Sequence, residues 1–346
     1  MISCDVLVVG GGPAGLFAAL AAAGDNVNVV VAEKKRTIGQ PVQCAEAVDT
    51  HAFRESNVDE GVVVQRISKI KTHWPNETVE KNIGFYMVNR SIFEKKIAVQ
   101  AIKAGAKILI ATRAVGKEGD SVVLQKGSER IEVRPKVIIG ADGPTSVVAR
   151  WMKVQNSEFC LGLQYEVPLA GPMDFAEFFL QPEYFGGYAW IFPKGETANA
   201  GLMIKVDDSV GAHRRIDDLL KRFLDRLEGE NKVINTPIGL TSGMIPAGKP
   251  VSSVKDNILL VGDAASQTHS ILGEGIFQAV KFGKIAGNVA AEAVKRHDIH
   301  HLAAYQQSWS AMMGKMLDQA YQGRIDMEEK WFDDFLMITK KYWTFA

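Results

Sequence analysis

The chain opens on an unbroken apolar run, Asp5-Val6-Leu7-Val8-Val9, the pattern of a strand buried on both faces. A glycine cluster follows at once, and an alanine-rich stretch to about Ala23 predicts a helix. Val27 to Ala32 predicts a second strand, ending at Glu33. Strand, glycine loop, helix and strand in that order make a βαβ unit. Apolar residues at 93, 97, 98, 101 and 102 predict a longer helix from Arg90 to Ala104. Strands are expected at 107–111, 121–125 and 130–133, after which Lys136 to Ile139 runs into Gly140-Ala141-Asp142-Gly143.

The pattern changes after about Trp151. Residues 158–206 alternate aromatic and polar positions with few helix signals, which predicts an antiparallel sheet. A charged amphipathic helix is expected over 213–228. Asn257 to Val261 reads as another apolar strand, entering Gly262-Asp263 and then a long helix from about Gly275 to Arg296. The tail from His301 to Ala346 is expected to be helical, with Trp309, Met312, Met313, Met316, Leu317 and Ala320 on one face. A parallel start, an antiparallel middle and a returning strand imply an α/β cofactor domain that is discontinuous. Its expected parts are 1–66, 84–150 and 250–300, with an inserted sheet domain of 67–83 and 151–249 and a helical C-terminus of 301–346.

Composition narrows the class. The 346 residues carry 40 basic and 40 acidic side chains, and this balance argues against nucleic-acid binding. With 47% hydrophobic and 23% charged residues, disorder, collagen-like repeats and a disulfide scaffold are excluded. The three cysteines Cys4, Cys44 and Cys160 are widely spaced, which points to a reduced compartment rather than a cysteine metal site. Without an 18-residue apolar run or a charged leader at Met1-Ile2-Ser3-Cys4-Asp5, the expectation is a cytoplasmic protein.

Candidate chemistry starts at Gly10-Gly11-Gly12-Pro13-Ala14-Gly15, a G-x-G-x-x-G at 10, 12 and 15. Gly10 permits the turn out of the strand, Gly12 lets a pyrophosphate approach the backbone, and Gly15 allows close helix packing. The helix start supplies free N–H groups and the positive end of a dipole. Glu33 lies 21 residues after Gly12, where an acid accepts bonds from a ribose 2′-hydroxyl and disfavours a 2′-phosphate.

Ile138-Ile139-Gly140-Ala141-Asp142-Gly143-Pro144-Thr145-Ser146 and Leu259-Leu260-Val261-Gly262-Asp263-Ala264-Ala265 resemble two fingerprints of the para-hydroxybenzoate-hydroxylase-type flavoproteins. That resemblance implies a Rossmann-like domain with FAD as cofactor, the acid of the Gly-Asp pair holding its ribityl chain. Three further segments are similar to the geranylgeranyl reductase family within that group. They are Ile38-Gly39-Gln40-Pro41-Val42-Gln43-Cys44-Ala45-Glu46, Tyr86-Met87-Val88-Asn89-Arg90-Ser91-Ile92-Phe93, and Gly187-Tyr188-Ala189-Trp190-Ile191-Phe192-Pro193-Lys194-Gly195 with its Y-x-W-x-F-P motif. The resemblance covers residues 1 to about 300. It implies FAD contacts at Gly10, Gly12, Ala14, Gly15, Glu33, Cys44, Arg90, Asp263, Gly275 and Ile276, and main-chain contacts at Ala45, Ala47 and Ala114.

On a strand, Tyr188, Trp190 and Phe192 point to one face, and Phe175, Phe178, Phe179, Tyr184 and Phe185 are near in sequence. Such a wall suits a long hydrocarbon, which gains ~0.8 kcal/mol per buried methylene; an ordinary packing face is the alternative for any one ring. Cys44 is read either as a proton donor, being mostly protonated at neutral pH, or as a packing neighbour of the flavin. His269 is expected to be a satisfied buried histidine rather than a catalytic acid. His297, His300 and His301 are read as a solvated turn rather than a metal site.

The chain departs from the family where Ser270-Ile271-Leu272-Gly273-Glu274-Gly275 replaces Pro-Ile-Thr-Gly-Gly-Gly. Ser270 gives up a rigid proline, and Glu274 sets a carboxylate at a helix start beside the expected flavin. The chain also stops sooner than many members of that family, implying a reduced substrate cover. The expected activity is reduction of double bonds in an isoprenoid (geranylgeranyl) lipid or diphosphate, with peripheral membrane contact. The alternatives are an FAD monooxygenase or halogenase on the same fold, and a non-catalytic flavin or lipid binder. Halogenases carry W-x-W-x-I-P where this chain has Tyr188 and Phe192. No second G-x-G-x-x-G occurs, so the electron donor stays open between a ferredoxin, a quinol and docked NAD(P)H.

Overall fold

A computed structural model describes residues 2–24, 26–206 and 212–345. Met1 of the expected N-terminal segment and Ala346 of the expected helical tail lie outside the described residues.

The first sheet places Val254–Lys255, Ile258–Leu260, Glu129–Gly140, Ile2–Val9, Val29–Ala32 and Lys107–Leu109 side by side in that order. From Ile258–Leu260 to Lys107–Leu109 every pairing is parallel. Alternate residues of the opening run face opposite layers. Val6 and Val8 pack with the helices Pro13–Ala22 and Ile276–Arg296, whereas Leu7 and Val9 pack with Val122, Leu124 and Val148. Cover on both sides is why the run is continuously apolar.

Glu129–Gly140 is one strand, where two were expected at 130–133 and 136–139. Its first part pairs antiparallel with Ser121–Lys126, and Val133 to Gly140 pairs parallel with Ile2–Val9. Pro135 sits opposite Cys4, beyond the end of the hairpin partner, so its missing N–H breaks no hairpin bond. Arg113–Glu118 completes this branch.

The second sheet runs Gly239–Pro246, Phe159–Pro168, Thr197–Lys205, Tyr188–Lys194, Ala176–Phe179, Ile70–Trp74 and Glu77–Lys81. It is antiparallel except where Ala176–Phe179 lies parallel to Ile70–Trp74. One face buries Leu163, Ile191 and Leu202 against Leu220 and Phe223 of the amphipathic helix Ala212–Gly229. The other face carries Tyr188, Trp190 and Phe192 toward Met87 and the C-terminal residues Trp331 and Trp343. A small third sheet, Ala47–Asp49, Phe85–Val88 and Val63–Ile67, lies between the two.

Helix Arg90–Lys103 starts at Asn89, whose side chain accepts the Ile92 N–H. In the tail, helices Ala303–Trp309, Lys315–Lys330 and Phe335–Tyr342 are separated by a wider turn at Ser310–Gly314. That turn resets the helical phase. Trp309, Leu317 and Ala320 are buried, while Met312 and Met316 turn outward against expectation, 51% and 36% exposed. No helix among the described residues is long and apolar enough to cross a membrane.

Candidate active site

The three glycine motifs meet at two helix starts. Gly10 has φ +106°, and a Cβ there would lie 2.2 Å from the Ala141 carbonyl oxygen. At Gly15 a Cβ would lie 2.0 Å from the Gly10 oxygen. These two glycines are fixed by the protein itself. Gly12 differs, because among the described residues nothing lies within 4 Å of where its Cβ would be. Helix Pro13–Ala22 begins there with no side-chain cap. Gly262, at φ +66°, packs against Ala14, which a Cβ would approach to 2.9 Å, and a Cβ at Gly283 would lie 2.6 Å from the Ala14 carbonyl oxygen.

Glu33 ends its strand with both carboxylate oxygens turned to the loop. One accepts the Gly11 N–H at 2.5 Å, the other the Lys35 N–H at 2.7 Å. Its carbonyl accepts the Thr112 N–H, which brings buried Ala114 of the next strand to the same corner.

Helix Ile276–Arg296 starts at Gly275, again with no side-chain cap. Asp263 stands beside it: a Cβ at Gly275 would be 3.4 Å from an Asp263 oxygen, and that oxygen accepts the Thr268 hydroxyl at 2.8 Å. Burial pushes the Asp263 carboxyl up, against the pull of Thr268 and Arg90. Arg90 is itself buried. Burial opposes its charge, but Cys44, Glu94 and Glu46 around it outweigh that and hold it protonated. Its guanidinium donates to Glu94, and its Nε has no hydrogen-bond partner. Asp142 of the second motif is occupied by its own turn, accepting Ser146 Oγ at 2.5 Å and the Val147 N–H at 2.6 Å.

The Cys44 segment is gripped by the second sheet. Gln164 Nε2 donates to the Cys44 carbonyl at 3.1 Å, and Asn199 Nδ2 to the Ala45 carbonyl at 3.0 Å. Cys44 Sγ accepts the Glu46 N–H at 3.2 Å. Glu46 has φ +66° and is buried. Its carboxylate takes the Arg90 N–H on one oxygen, and Lys194 and Asn199 on the other. Ala47 follows on a strand paired with Phe85–Val88. Glu46, Gln164 and Asn199 were absent from the sequence expectations. The signal available was a polar residue at a core-facing strand position, and a lysine directly after the Y-x-W-x-F-P motif.

Tyr188, Trp190 and Phe192 are all buried on one face. Trp190 stacks on Phe192 at 6.0 Å and meets Tyr188 edge-on at 5.8 Å. Phe178 joins them, and Trp343 and Phe345 close over the group. The other nearby aromatics do not extend this wall. Phe179 and Tyr184 turn to the opposite face against Phe223, Phe175 lies under Lys71, and Phe185 stacks on Phe332. Strand alternation separates Phe179 from Phe178, whereas Phe175, Tyr184 and Phe185 lie off the strands, and Phe185 packs at the edge of the same cluster through Trp331.

The Tyr188 hydroxyl donates to the Leu272 carbonyl at 2.6 Å, which joins the aromatic strand to the 269–275 loop. In that loop His269 Nδ1 accepts the Leu272 N–H, and burial pushes its imidazole down to about 4, so it is neutral at pH 7. The Ser270 carbonyl accepts Arg324 at 2.9 Å. Glu274 is exposed, and the protein around it, then Asp49, raises its carboxyl. Elsewhere, His297 ends its helix in the left-handed conformation and His301 pairs with Glu292.

FAD, which the sequence motifs imply, suits these groups. Gly12 opens onto free space, two helix starts present uncapped N–H groups, and the buried Arg90 Nε lacks a partner. A pyrophosphate and an electron-rich ring are the chemistry such donors take.

Comparison with known proteins agrees. Residues 5–151 match the family of FAD dependent oxidoreductases, and residues 161–244 match the geranylgeranyl reductase catalytic domain. Digeranylgeranylglycerophospholipid reductase 2 of Methanopyrus kandleri is 37% identical over 341 residues, covering 91% of this chain and 84% of that protein. The Methanocaldococcus jannaschii digeranylgeranylglycerophospholipid reductase is 35% identical, covering 88% and 82%. A crystal structure of a geranylgeranyl bacteriochlorophyll reductase-like protein from Thermoplasma acidophilum superposes with a TM-score of 0.82 at 26% identity, covering 99% of each chain. With a Rossmann-like sheet, uncapped helix starts and relatives this similar over most of its length, the chain belongs to the digeranylgeranylglycerophospholipid reductase family of FAD-dependent oxidoreductases.

Proposed function

We propose that this enzyme saturates carbon–carbon double bonds in the geranylgeranyl chains of a lipid or diphosphate. The carrying observation is that the aromatic face is tied to both segments that border the candidate cofactor site, Tyr188 directly to the Leu272 carbonyl and Trp190 through Gln164 to the Cys44 carbonyl. An apolar chain laid on that face would lie between the Cys44 segment and the 269–275 loop.

FAD, once bound and reduced by an external donor, would supply the hydride. Gly12, Ala14 and Gly15 of the first helix start, with Gly275 and Ile276 of the second, present main-chain N–H groups to phosphate and ring. Gly10 shapes the turn, Glu33 takes the ribose and Ala114 the adenine side, while Asp263 and Arg90 hold the ribityl and ring region. Ala45 and Ala47 offer main-chain contacts. Cys44 is the proton donor in this reading. Its sulfur is oriented by the Glu46 N–H, which it accepts at 3.2 Å. The cofactor parts are 1–66, 84–150 and 250–300, and the substrate sheet is formed by 67–83 and 151–249. Reduction equivalents come from a separate ferredoxin, quinol or NAD(P)H, and a lipid substrate brings the protein to a membrane surface from the cytoplasm.

The test is dithionite-reduced enzyme under nitrogen with geranylgeranyl phospholipid or diphosphate. Products heavier by two hydrogens for each saturated bond are expected. Product formed only in air, and heavier by one oxygen, moves the protein to the monooxygenases. A yellow protein with no product in either atmosphere keeps its cofactor and loses its isoprenoid substrate.

A further inference from the structure

One side chain bridges the aromatic face and the thiol segment. Gln164 is 4% exposed on strand Phe159–Pro168, among apolar neighbours. Its Oε1 accepts the Trp190 indole N–H at 3.2 Å, and its Nε2 donates to the Cys44 carbonyl at 3.1 Å. An indole only donates and a carbonyl only accepts, so the orientation of the amide is dictated by its two partners. The contact exists because Gly201 lies between them. Gly201 is the cross-strand neighbour of Gln164 on one side and of Trp190 on the other. A Cβ at 201 would stand 2.4 Å from Gln164 Cβ and 2.7 Å from Trp190 Cζ2. A glycine inside a strand here marks a place where two side chains must close over the backbone.

We propose that Gln164 is a positioning residue that couples the aromatic face to Cys44, so that what settles on Trp190 sets the main chain carrying the thiol. The substrate half of this rests on the isoprenoid reading; the coupling itself does not. The linkage is physical at each step. A ring packed on Trp190 fixes its indole, the indole fixes the amide, and the amide fixes the Cys44 carbonyl. Buried and fully paired, such a chain tolerates little slack, because an unmatched end leaves a desolvated polar group. Downstream, Cys44 Sγ accepts the Glu46 N–H two residues on, so a shift of the Cys44 main chain changes the sulfur's own partner.

The three cysteines make the test direct, since Cys4 and Cys160 are buried and Cys44 is partly exposed. Cys44 alkylation by iodoacetamide is followed by peptide mass spectrometry in FAD-loaded protein from pH 6 to 10. Gln164→Glu keeps the acceptor for Trp190 but places an oxygen against the Cys44 carbonyl; Trp190→Phe removes the indole donor together with part of the ring, and Gln164→Leu, which removes both amide bonds without touching the indole, controls for the lost volume. Each single variant should change the alkylation rate by at least about threefold, or move its pH midpoint by about half a unit, and the double variant should add nothing. Additive effects, or a Gln164→Glu profile that overlays the parent, would overturn the coupling. If Gln164→Glu does not fold, Trp190→Phe decides alone, and an unchanged Cys44 profile in it overturns the proposal. In a separate arm, geranylgeranyl diphosphate should alter Cys44 alkylation in the parent and not in Gln164→Glu. A probe without effect on the parent sinks the isoprenoid reading, while the probe-free cycle still decides the coupling.

Discussion

Lys194, the last residue of the aromatic strand, donates its ammonium to Glu46 in the interior. The lysine side chain is 14% exposed and the glutamate 7%, so neither charge has water to fall back on. Lys194→Met would leave the Glu46 carboxylate with only the Arg90 N–H and Asn199. Breaking a buried pair from one side costs about 3–5 kcal/mol. Urea unfolding should show that loss. A difference under about 1 kcal/mol would mean that the pair is solvated in solution.

The motif glycines should separate by what their Cβ atoms would touch. Gly15→Ala sets a methyl 2.0 Å from the Gly10 carbonyl, so backbone must move and stability and flavin binding should both fall. Gly12→Ala meets no protein atom within 4 Å and should leave apoprotein stability within about 0.5 kcal/mol while FAD affinity drops. Flavin-fluorescence titration beside thermal melts reads both. Equal FAD affinity in Gly12→Ala and the parent removes the pyrophosphate from that loop.

Glu33→Ala removes the acceptor for two main-chain N–H groups as well as for a ribose. Loss of one charge-assisted bond to the ligand, about 1.5–3 kcal/mol, predicts at least a tenfold weaker FAD complex. Because Gly11 and Lys35 also lose their partner, the apoprotein should melt earlier too. An FAD affinity that survives the substitution would confine Glu33 to holding its turn.

His269 gives a pH dependence of definite sign. Its folded value near 4 lies below the ordinary 6.5, so the unfolded chain takes up the proton first as pH falls. Stability from this group is complete above about pH 6.5 and is lost progressively toward pH 4, by about 2–3 kcal/mol. Glu274, raised instead, acts in the opposite sense as pH climbs through the acidic range, so the comparison must be made against His269→Asn. That variant should flatten the acid limb of a stability-versus-pH curve. If its curve parallels the parent's, the imidazole is not desolvated.

Local features of this molecule were legible in its residues. The helix after the glycine loop was expected to about Ala23 and ends at Ala22; the long one was expected from Gly275 and spans Ile276–Arg296. Both follow from alanine-rich or periodic runs with glycine at their starts. What escaped was long-range. Glu46 gains its meaning from Lys194, 148 positions away, and from a left-handed backbone that no pattern of apolar residues announces. The aromatic stripe reads as one wall in the sequence, yet the pleat sends Phe179 to the face of Phe223, the turn after it sends Tyr184 there too, and Phe178, with Phe185 at the edge, stays with Tyr188, Trp190 and Phe192. The strands expected at 130–133 and 136–139 are one strand, continuous through Pro135, which sits where the antiparallel partner has already ended.

The packing of Gly283 on Ala14 and of Gly287 on Ala18 also fixes an order of events during synthesis. The helix Pro13–Ala22 emerges from the ribosome early in this sequence, close in time to its flanking strands. Its glycine-faced counterpart, Ile276–Arg296, is translated some 260 residues later, more than ten seconds at ordinary elongation rates. For that interval the nascent chain displays an alanine-rich surface with no lid and half of a cofactor cradle. Holding the flavin is therefore a property of a chain translated past Arg296, and the early segment is where a chaperone would find apolar surface to cover.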